Sequence, residues 1–320
     1  MDIVDDQRDL AGKTLSGSIH IDRCPICRSQ THKPYVKVFG FCYCECLKCE
    51  HIFCQDVPSD QALEDLYTPD SETSNAQHKV YLDEGKFNER VLQIATPKVD
   101  FVLDMVDISL FKSGVHWLDI GCGAGEVLSD CLSRGFSVCG LEVDSAQVEF
   151  ARNKGIEIVS SVLNEENASN LIPKASIVSI INVLEHIKDP KFFLSLVVKY
   201  LDPASFLVFE VPKHPSLSSV NRVLFPDLAY RHIYPPDHLH IFSDQSLDNL
   251  LKGNGLEVVA IWSFGQDADE FLSSVLLDRG IKNQSKESDM LMNLAPRLQQ
   301  LVDLEGLSDT MLVLAKKVRE

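Results

Sequence analysis

From residue 113 onward the chain alternates short apolar runs with amphipathic stretches. Residues 115–120 read as a strand, and 126–134 set Val127, Leu128, Cys131 and Leu132 on one helical face. The same alternation predicts strands over 137–143, 156–160, 176–181, 206–211 and 256–264. Between them it predicts helices over 146–154, 191–201 and 244–252. Ser145 is placed to cap the first of these and Gly155 to stop it, while Asp189-Pro190 opens the second. The 176–181 run is nearly all apolar, as a strand buried on both faces should be. Strands that alternate with helices imply parallel pairing and right-handed crossovers. Residues 310–315 form the expected closing strand, and 265–308 are expected to be mainly helical.

Upstream the pattern changes. Residues 35–38 and 41–44 alternate as the arms of a hairpin would. Cys24-x2-Cys27 and Cys46-x2-Cys49 flank that hairpin with 18 residues between the pairs. Two such knuckles supply the closed tetrahedral shell of a structural four-thiolate zinc site, with no open position for catalysis. Cys42, Cys44 and Cys54 are surplus: they either pack a small core or compete as ligands, and His51 lies near enough to substitute. Residues 58–112 read as polar helices, 61–67 and 79–106, joined by a turn at Pro69-Asp70.

The chemistry concentrates where strand 115–120 meets its helix. Asp119 is followed by Gly121, Gly123 and Gly125, residues that allow φ > 0 and close approach of a ligand to the backbone. The next strand ends in Glu142, where a doubly wound sheet places a carboxylate for both hydroxyls of a ribose. A nucleoside-containing ligand follows. A dinucleotide does not, because the third glycine falls one residue early and Glu126 would repel a pyrophosphate. The stretch resembles motif I of class I S-adenosylmethionine (SAM) methyltransferases. That resemblance implies a Rossmann-like α/β fold with a seven-stranded mixed sheet, the closing strand antiparallel between strands five and six. It puts Asp119 and the glycines under the methionine moiety and Glu142 on the ribose. It also implies that Val162 and Leu163 pack the adenine, and that helices before motif I cover the pocket, with Tyr81 and Arg90 the residues to watch.

Asn182-Val183-Leu184-Glu185-His186 resembles the signature after strand four in the broad ubiquinone-type and sugar methyltransferases. Residues 230–243, Tyr-Arg-His-Ile-Tyr-Pro-Pro-Asp-His-Leu-His-Ile-Phe-Ser, resemble the loop in that family that carries a histidine over the reactive methyl. A hydroxyl acceptor needs a base near neutral pKa, and histidine is the natural one. His238 is the expected base, then His186, then His240, with Tyr234 orienting substrate or base and Glu185 bracing the loop. Sugar C-methyltransferases share the zinc ribbon but carry a further C-terminal domain. Only 56 residues follow strand six here, which favours an O- or N-methyl acceptor. Glu185-His186 with a distant histidine also resembles the metal site of small-RNA 3′-end methyltransferases, but Asn182 stands where a ligating glutamate is required.

Composition narrows the partners. With 30 basic against 47 acidic residues the net charge is −17, which argues against a protein that grips phosphate backbones, zinc-ribbon ribosomal RNA enzymes included. No apolar run reaches 18 residues, and the acidic N-terminus is no signal peptide, so no membrane span is expected. Ten cysteines without such a signal indicate a reducing cytoplasm. The expected organisation is a flexible tail (1–19), a zinc ribbon (20–57), a helical connector (58–112), a SAM-binding core (113–264) and a helical insertion with the closing strand (265–320). The insertion is expected either to cover substrate or to mediate a homo-oligomer. The expected activity is SAM-dependent methylation of a small polar metabolite, a saccharide or nucleotide sugar. The alternatives are RNA methylation and a non-catalytic SAM- or zinc-binding interaction protein.

Overall fold

A computed structural model describes residues 3–66, 82–282 and 284–318. The chain opens with helix α1 (Ile3–Leu15). Strands β1 (His32–Val38), β2 (Phe41–Cys46) and β3 (Ile52–Cys54) then form an antiparallel meander. After α2 (Asp60–Leu66), helix α3 (Glu84–Arg90) runs through one π-turn, Val91–Ala95, into α4 (Thr96–Met105). The helix expected over 79–106 thus runs without a break over 84–105 and carries a π-turn in its middle, and Tyr81 lies outside the described residues.

Next come β4 (His116–Ile120), α5 (Glu126–Ser133), β5 (Ser137–Glu142), α6 (Ser145–Asn153) and β6 (Ile158–Ser160). Asp144, one residue ahead of the expected Ser145, caps α6 with its carboxylate on the Ala146 and Gln147 amides. The chain continues through α7 (Glu165–Leu171), β7 (Ile177–Ile181), α8 (Pro190–Tyr200), β8 (Phe206–Pro212) and α9 (Leu217–Leu224). Two-residue strand β9 (His240–Ile241) precedes α10 (Asp244–Lys252) and β10 (Leu256–Phe264). Helices α11 (Asp267–Asp278), α12 (Lys286–Met292) and α13 (Ala295–Leu304) lead to β11 (Thr310–Lys317).

The main sheet has seven strands in the order β10-β11-β8-β7-β4-β5-β6. β8, β7, β4, β5 and β6 pair in parallel, and β11 is antiparallel to both neighbours. This is the mixed Rossmann-like sheet expected from the sequence. One face buries Leu118, Val178, Leu207 and Val313 under α8 and α10. The other buries Trp117, Ile177, Val208 and Leu312 under α4, α5 and α6. Among the described residues no helix is long and apolar enough to cross a membrane.

Two features depart from the sequence reading. Residues 3–15 are not a loose tail: Ala11 of α1 packs with Val38, Phe41 and Ile52 of the ribbon and with Ile233 and Leu239 of the loop before β9. The ribbon is not an appended module either. β9 joins its meander as a fourth strand, in the order β9-β3-β2-β1, with His240 opposite Phe53. Ribbon residues Cys24, Ile26 and Phe53 are continuous with the core beneath the main sheet. The residues from 230 to 243 are therefore held between two sheets.

Candidate functional site

At the carboxyl end of β4 the chain turns through Gly121, Gly123 and Gly125, with φ of +73°, +55° and +90°. Only glycine takes these values without cost. Gly121 has no room for a side chain in any case, since a Cβ there would lie 2.5 Å from Val183 Cγ2. The Glu142 carboxylate closes on this loop: Oε2 accepts the Gly123 amide at 2.9 Å, and Oε1 accepts those of Val143 and Asp144 at 2.7 and 2.9 Å. Loop and acid, predicted separately, form one unit.

Asp119 lies beneath this unit, buried, and Oδ1 accepts the Ser179 hydroxyl at 2.6 Å. Ser179 Oγ in turn accepts Trp117 Nε1–H at 2.8 Å. Burial pushes the Asp119 carboxyl up to about 7; the charges of Glu126 and Glu142 add to it, and the Ser179 hydrogen bond and Lys98 oppose it. Arg90 Nε pairs with Glu126 Oε1 at 2.7 Å, at the start of α5. Past β6, Val162 leaves 64 % of its surface bare and Leu163 is half-buried, while Asn164 caps α7. A glycine turn with a vicinal acid and a bare apolar face on the next strand end fit an adenosine-containing cofactor.

The histidines lie one strand away. Asn182 follows β7 with φ +52°, exposed, and its amide donates to Glu210 O at 3.3 Å. Glu185 is fully buried, and neither carboxylate oxygen has a hydrogen-bond partner. His238 Nε2 is 3.9 Å from Glu185 Oε1 and His186 Nε2 is 4.0 Å from it. The two imidazoles meet edge to face with centroids 4.9 Å apart, and Tyr234 packs on His238 at 4.3 Å. Each Nδ1–H donates to a main-chain carbonyl: His238 to His232 O at 2.6 Å, His186 to Asp237 O at 2.8 Å. Those bonds define the tautomer and leave Nε2 as the acceptor nitrogen on both rings. Burial holds both imidazoles below the usual histidine range, and the neighbouring His186 lowers His238 further. Burial also pushes the Glu185 carboxyl up to about 8, with the Glu210 charge adding.

His240, third among the expected bases, does not join this group. It is buried in β9, with Nε2 2.8 Å from Ile187 O and Nδ1 3.2 Å from His51 Nε2. Both nitrogens are thereby committed, and the ring pins the ribbon to the loop. His51 is accordingly apart from the sulfur cluster.

The four predicted sulfurs do come together. Cys24 Sγ and Cys49 Sγ are 3.6 Å apart, Cys27 Sγ and Cys46 Sγ 3.5 Å, and all four lie within 4.8 Å of one another. A tetrahedron with Zn–S of about 2.3 Å has edges of about 3.8 Å. The site fits zinc. Cys44 instead donates to Gln55 Oε1 at 2.9 Å and Cys54 to Asp56 O at 3.5 Å, so both serve the small core.

Sequence reasoning missed one buried ion pair at this edge of the sheet. Lys98 Nζ lies 2.6 Å from Glu210 Oε2. The single charge in the apolar run of β8 was a signal for Glu210; Lys98, on an ordinary polar helix, gave none.

A family model described as a methyltransferase domain matches residues 87–261. A ubiquinone biosynthesis O-methyltransferase of Hahella chejuensis is 30% identical over 112 residues, 33% of this chain and 47% of that protein. One from Bartonella bacilliformis is 24% identical over 181 residues, 54% of this chain and 73% of that protein. The chain thus spans about half the length of the first of these relatives. Among solved structures, a mycolic acid cyclopropane synthase complexed with SAH and CTAB aligns over 75% of this chain and 93% of its own, with 16% identity and a TM-score of 0.50. That similarity is one of fold.

Proposed function

The chain belongs to the methyltransferase domain family, and from that premise we propose that it is a SAM-dependent O-methyltransferase of a small hydroxyl-bearing metabolite. The observation that carries this reading is the His238 ring. Its Nδ1–H is spent on the His232 carbonyl, so its Nε2 lone pair is left to act beside the loop that follows β7. Burial keeps the imidazole neutral, and only the neutral form can take a proton.

When bound, SAM supplies a methyl on a sulfonium that leaves as a neutral thioether. Glu142 and the glycine loop would hold the nucleoside, Val162 and Leu163 the base, and Asp119 and Arg90 the charged tail. His238 Nε2 would take the proton of the acceptor hydroxyl, whose oxygen would gain the methyl given up by the sulfonium. Positioning of acceptor and methyl in line supplies much of the remaining barrier reduction. Exposed Asn182 and part-buried His186 and Tyr234 are polar side chains of the kind that suits a saccharide. The names of the curated relatives support transfer to oxygen and point to an intermediate of ubiquinone biosynthesis as the competing acceptor class.

A second reading rests on Glu185. Its unpartnered oxygens and the two Nε2 atoms form a Glu-His-His set within 4.8 Å, each imidazole backed by a carbonyl as metal-ligating histidines are. A divalent cation held there would acidify the acceptor hydroxyl in place of a base.

Labelled SAM incubated with cell extract tests both readings when the products are split into small-molecule, RNA and protein fractions. Label in the small-molecule fraction, lost in His238→Ala and indifferent to added magnesium or manganese, supports the base. Label that requires the added cation moves Glu185, His186 and His238 to a metal site. Label confined to RNA or protein sinks the metabolite reading, and saccharide and quinone-precursor pools then separate the acceptor classes.

A further inference from the structure

The loop that carries His238 is fastened to a cluster of buried ions that the proposed reaction does not use. Arg222 of α9, Glu270 of α11 and Asp309 ahead of β11 are each 0% exposed. Arg222 Nη2 donates to Glu270 Oε1 at 2.6 Å. The other oxygen, Glu270 Oε2, accepts from Arg231 Nη1 at 3.3 Å, and the same nitrogen donates to Asp309 Oδ2. Ser218 Oγ donates to that Asp309 oxygen at 2.9 Å, and the Asp309 amide donates to Asp267 Oδ2 at 2.9 Å. Three carboxylates and two guanidiniums thus tie the 265–308 insertion and α9 to one loop residue, Arg231.

Its neighbour is His232, held at φ +58°, a left-handed conformation that a side chain disfavours. The His232 ring donates Nε2–H to Lys213 O at 2.9 Å, and the Lys213 amide donates to Asp309 O at 2.6 Å. Asp309 therefore anchors this turn twice, through the Arg231 guanidinium and through the His232 ring. The His232 carbonyl, aimed by the turn, receives His238 Nδ1–H at 2.6 Å.

We infer that Arg231 is a positioning residue: clamped by Asp309 and Glu270, it fixes the His232 carbonyl that selects the His238 tautomer with Nε2 unprotonated. The inference rests on the role given to His238 above, and it holds whether Nε2 takes a proton or a cation. Burying ions is a costly way to fasten a loop compared with apolar packing. What the ions add is direction, because the two N–H donors of Arg231 Nη1 are fixed in the guanidinium plane, one toward each acid. Lysine keeps the charge and loses that fixed direction, since its ammonium donors rotate, which makes Arg231→Lys the informative change.

The readout is the ring-nitrogen spectrum of the full-length protein labelled with 15N-histidine, with His238 assigned by the pattern that disappears in His238→Gln. In the wild type His238 is expected as a single tautomer, protonated on Nδ1. In R231K a second pattern, protonated on Nε2, is expected while SAM affinity measured by calorimetry stays unchanged. A merely structural loss would lower the unfolding midpoint and leave the ring nitrogens where they were. R231K with the single wild-type tautomer overturns the inference. So does a wild type whose His238 is already mixed or protonated on Nε2, an outcome that needs no variant to fold. If the tautomer shifts in R231K while methyl transfer survives in His238→Gln, the positioning stands and the catalytic role of His238 falls.

Discussion

Asp119→Asn isolates one buried charge beneath the glycine loop. The substitution keeps the volume and the Oδ1 atom that receives the Ser179 hydroxyl, and it removes only the ionisation. In the wild type, burial is the main cause that lifts this carboxyl from 3.8 to about 7. The unfolded chain releases that proton near pH 3.8, so between pH 3.8 and about 7 the folded state holds a proton that the unfolded state has lost. Stability from this group is complete below the lower value and drains as pH rises through the upper one. A difference of about 3 pH units, at about 1.4 kcal/mol each, gives about 4 kcal/mol. Local relaxation and water entry reduce this to roughly 2 kcal/mol, since buried sites behave as if the dielectric were nearer 20 than 4. The assay is urea unfolding of both proteins from pH 4.5 to 8. Wild-type stability minus that of D119N is expected to fall across this range by roughly 2–3 kcal/mol, flattening above pH 7. Parallel pH profiles for the two proteins would refute the placement of a strained carboxyl under the loop.

Three further outcomes are expected. Zinc analysis should give one ion per chain, and its removal, or Cys49→Ser, should expose residues 20–57 to protease while SAM still binds; loss of SAM binding would contradict a structural role for the ribbon. Glu142→Ala removes the acid joined to the Gly123 amide and should weaken SAM by roughly 100-fold in calorimetry, the equivalent of two charge-assisted hydrogen bonds, whereas an unchanged Kd would remove Glu142 from the site. His240→Ala should cost about 2–4 kcal/mol in urea unfolding, because a core ring is lost and buried His51 loses its partner, with SAM affinity unaffected; a drop in SAM affinity without loss of stability would return His240 to the active site.

Much of this molecule was legible because its signals are local. The order of strands and helices from β4 onward follows from apolar periodicity, and the cysteine spacing alone located the four sulfurs that converge. The glycine loop and Glu142 were readable because turn geometry and strand ends obey short-range rules. What escaped is long-range. Nothing local distinguishes His238 from His240, two residues apart: one ring faces Glu185 and the other faces His51, and the difference is the pairing of β9 with a strand nearly 200 positions away in the chain. Helix α1 looked like a tail because its apolar residues are few, yet Gln7 reaches the Pro235 carbonyl at 2.9 Å and Asp237 Oδ2 at 2.7 Å.

Those long-range ties explain how so irregular a loop can hold the His238 ring in one place. Each ordered residue costs about 1–2 kcal/mol of backbone entropy, and between α9 and β9 no strand or long helix offsets that cost. Restraint comes instead from four directions. The ribbon supplies Tyr43, whose hydroxyl donates to His238 O at 2.7 Å, and the Cys54 amide, which donates to Leu239 O at 2.8 Å. The residues after β7 supply Glu185 O for the Leu239 amide at 2.8 Å and His186 for the Asp237 carbonyl. Helix α1 supplies Gln7, and the insertion supplies the acids around Arg231. A bare methyltransferase sheet would carry the glycine loop and Glu142 unchanged, and it would lack three of these four restraints. The ribbon, the N-terminal helix and the insertion thus converge on the one loop that carries His238. Substitutions at Tyr43, Gln7 or Arg231 should therefore slow methyl transfer at saturating SAM with little effect on SAM affinity, whereas those at Glu142 should act first on SAM affinity.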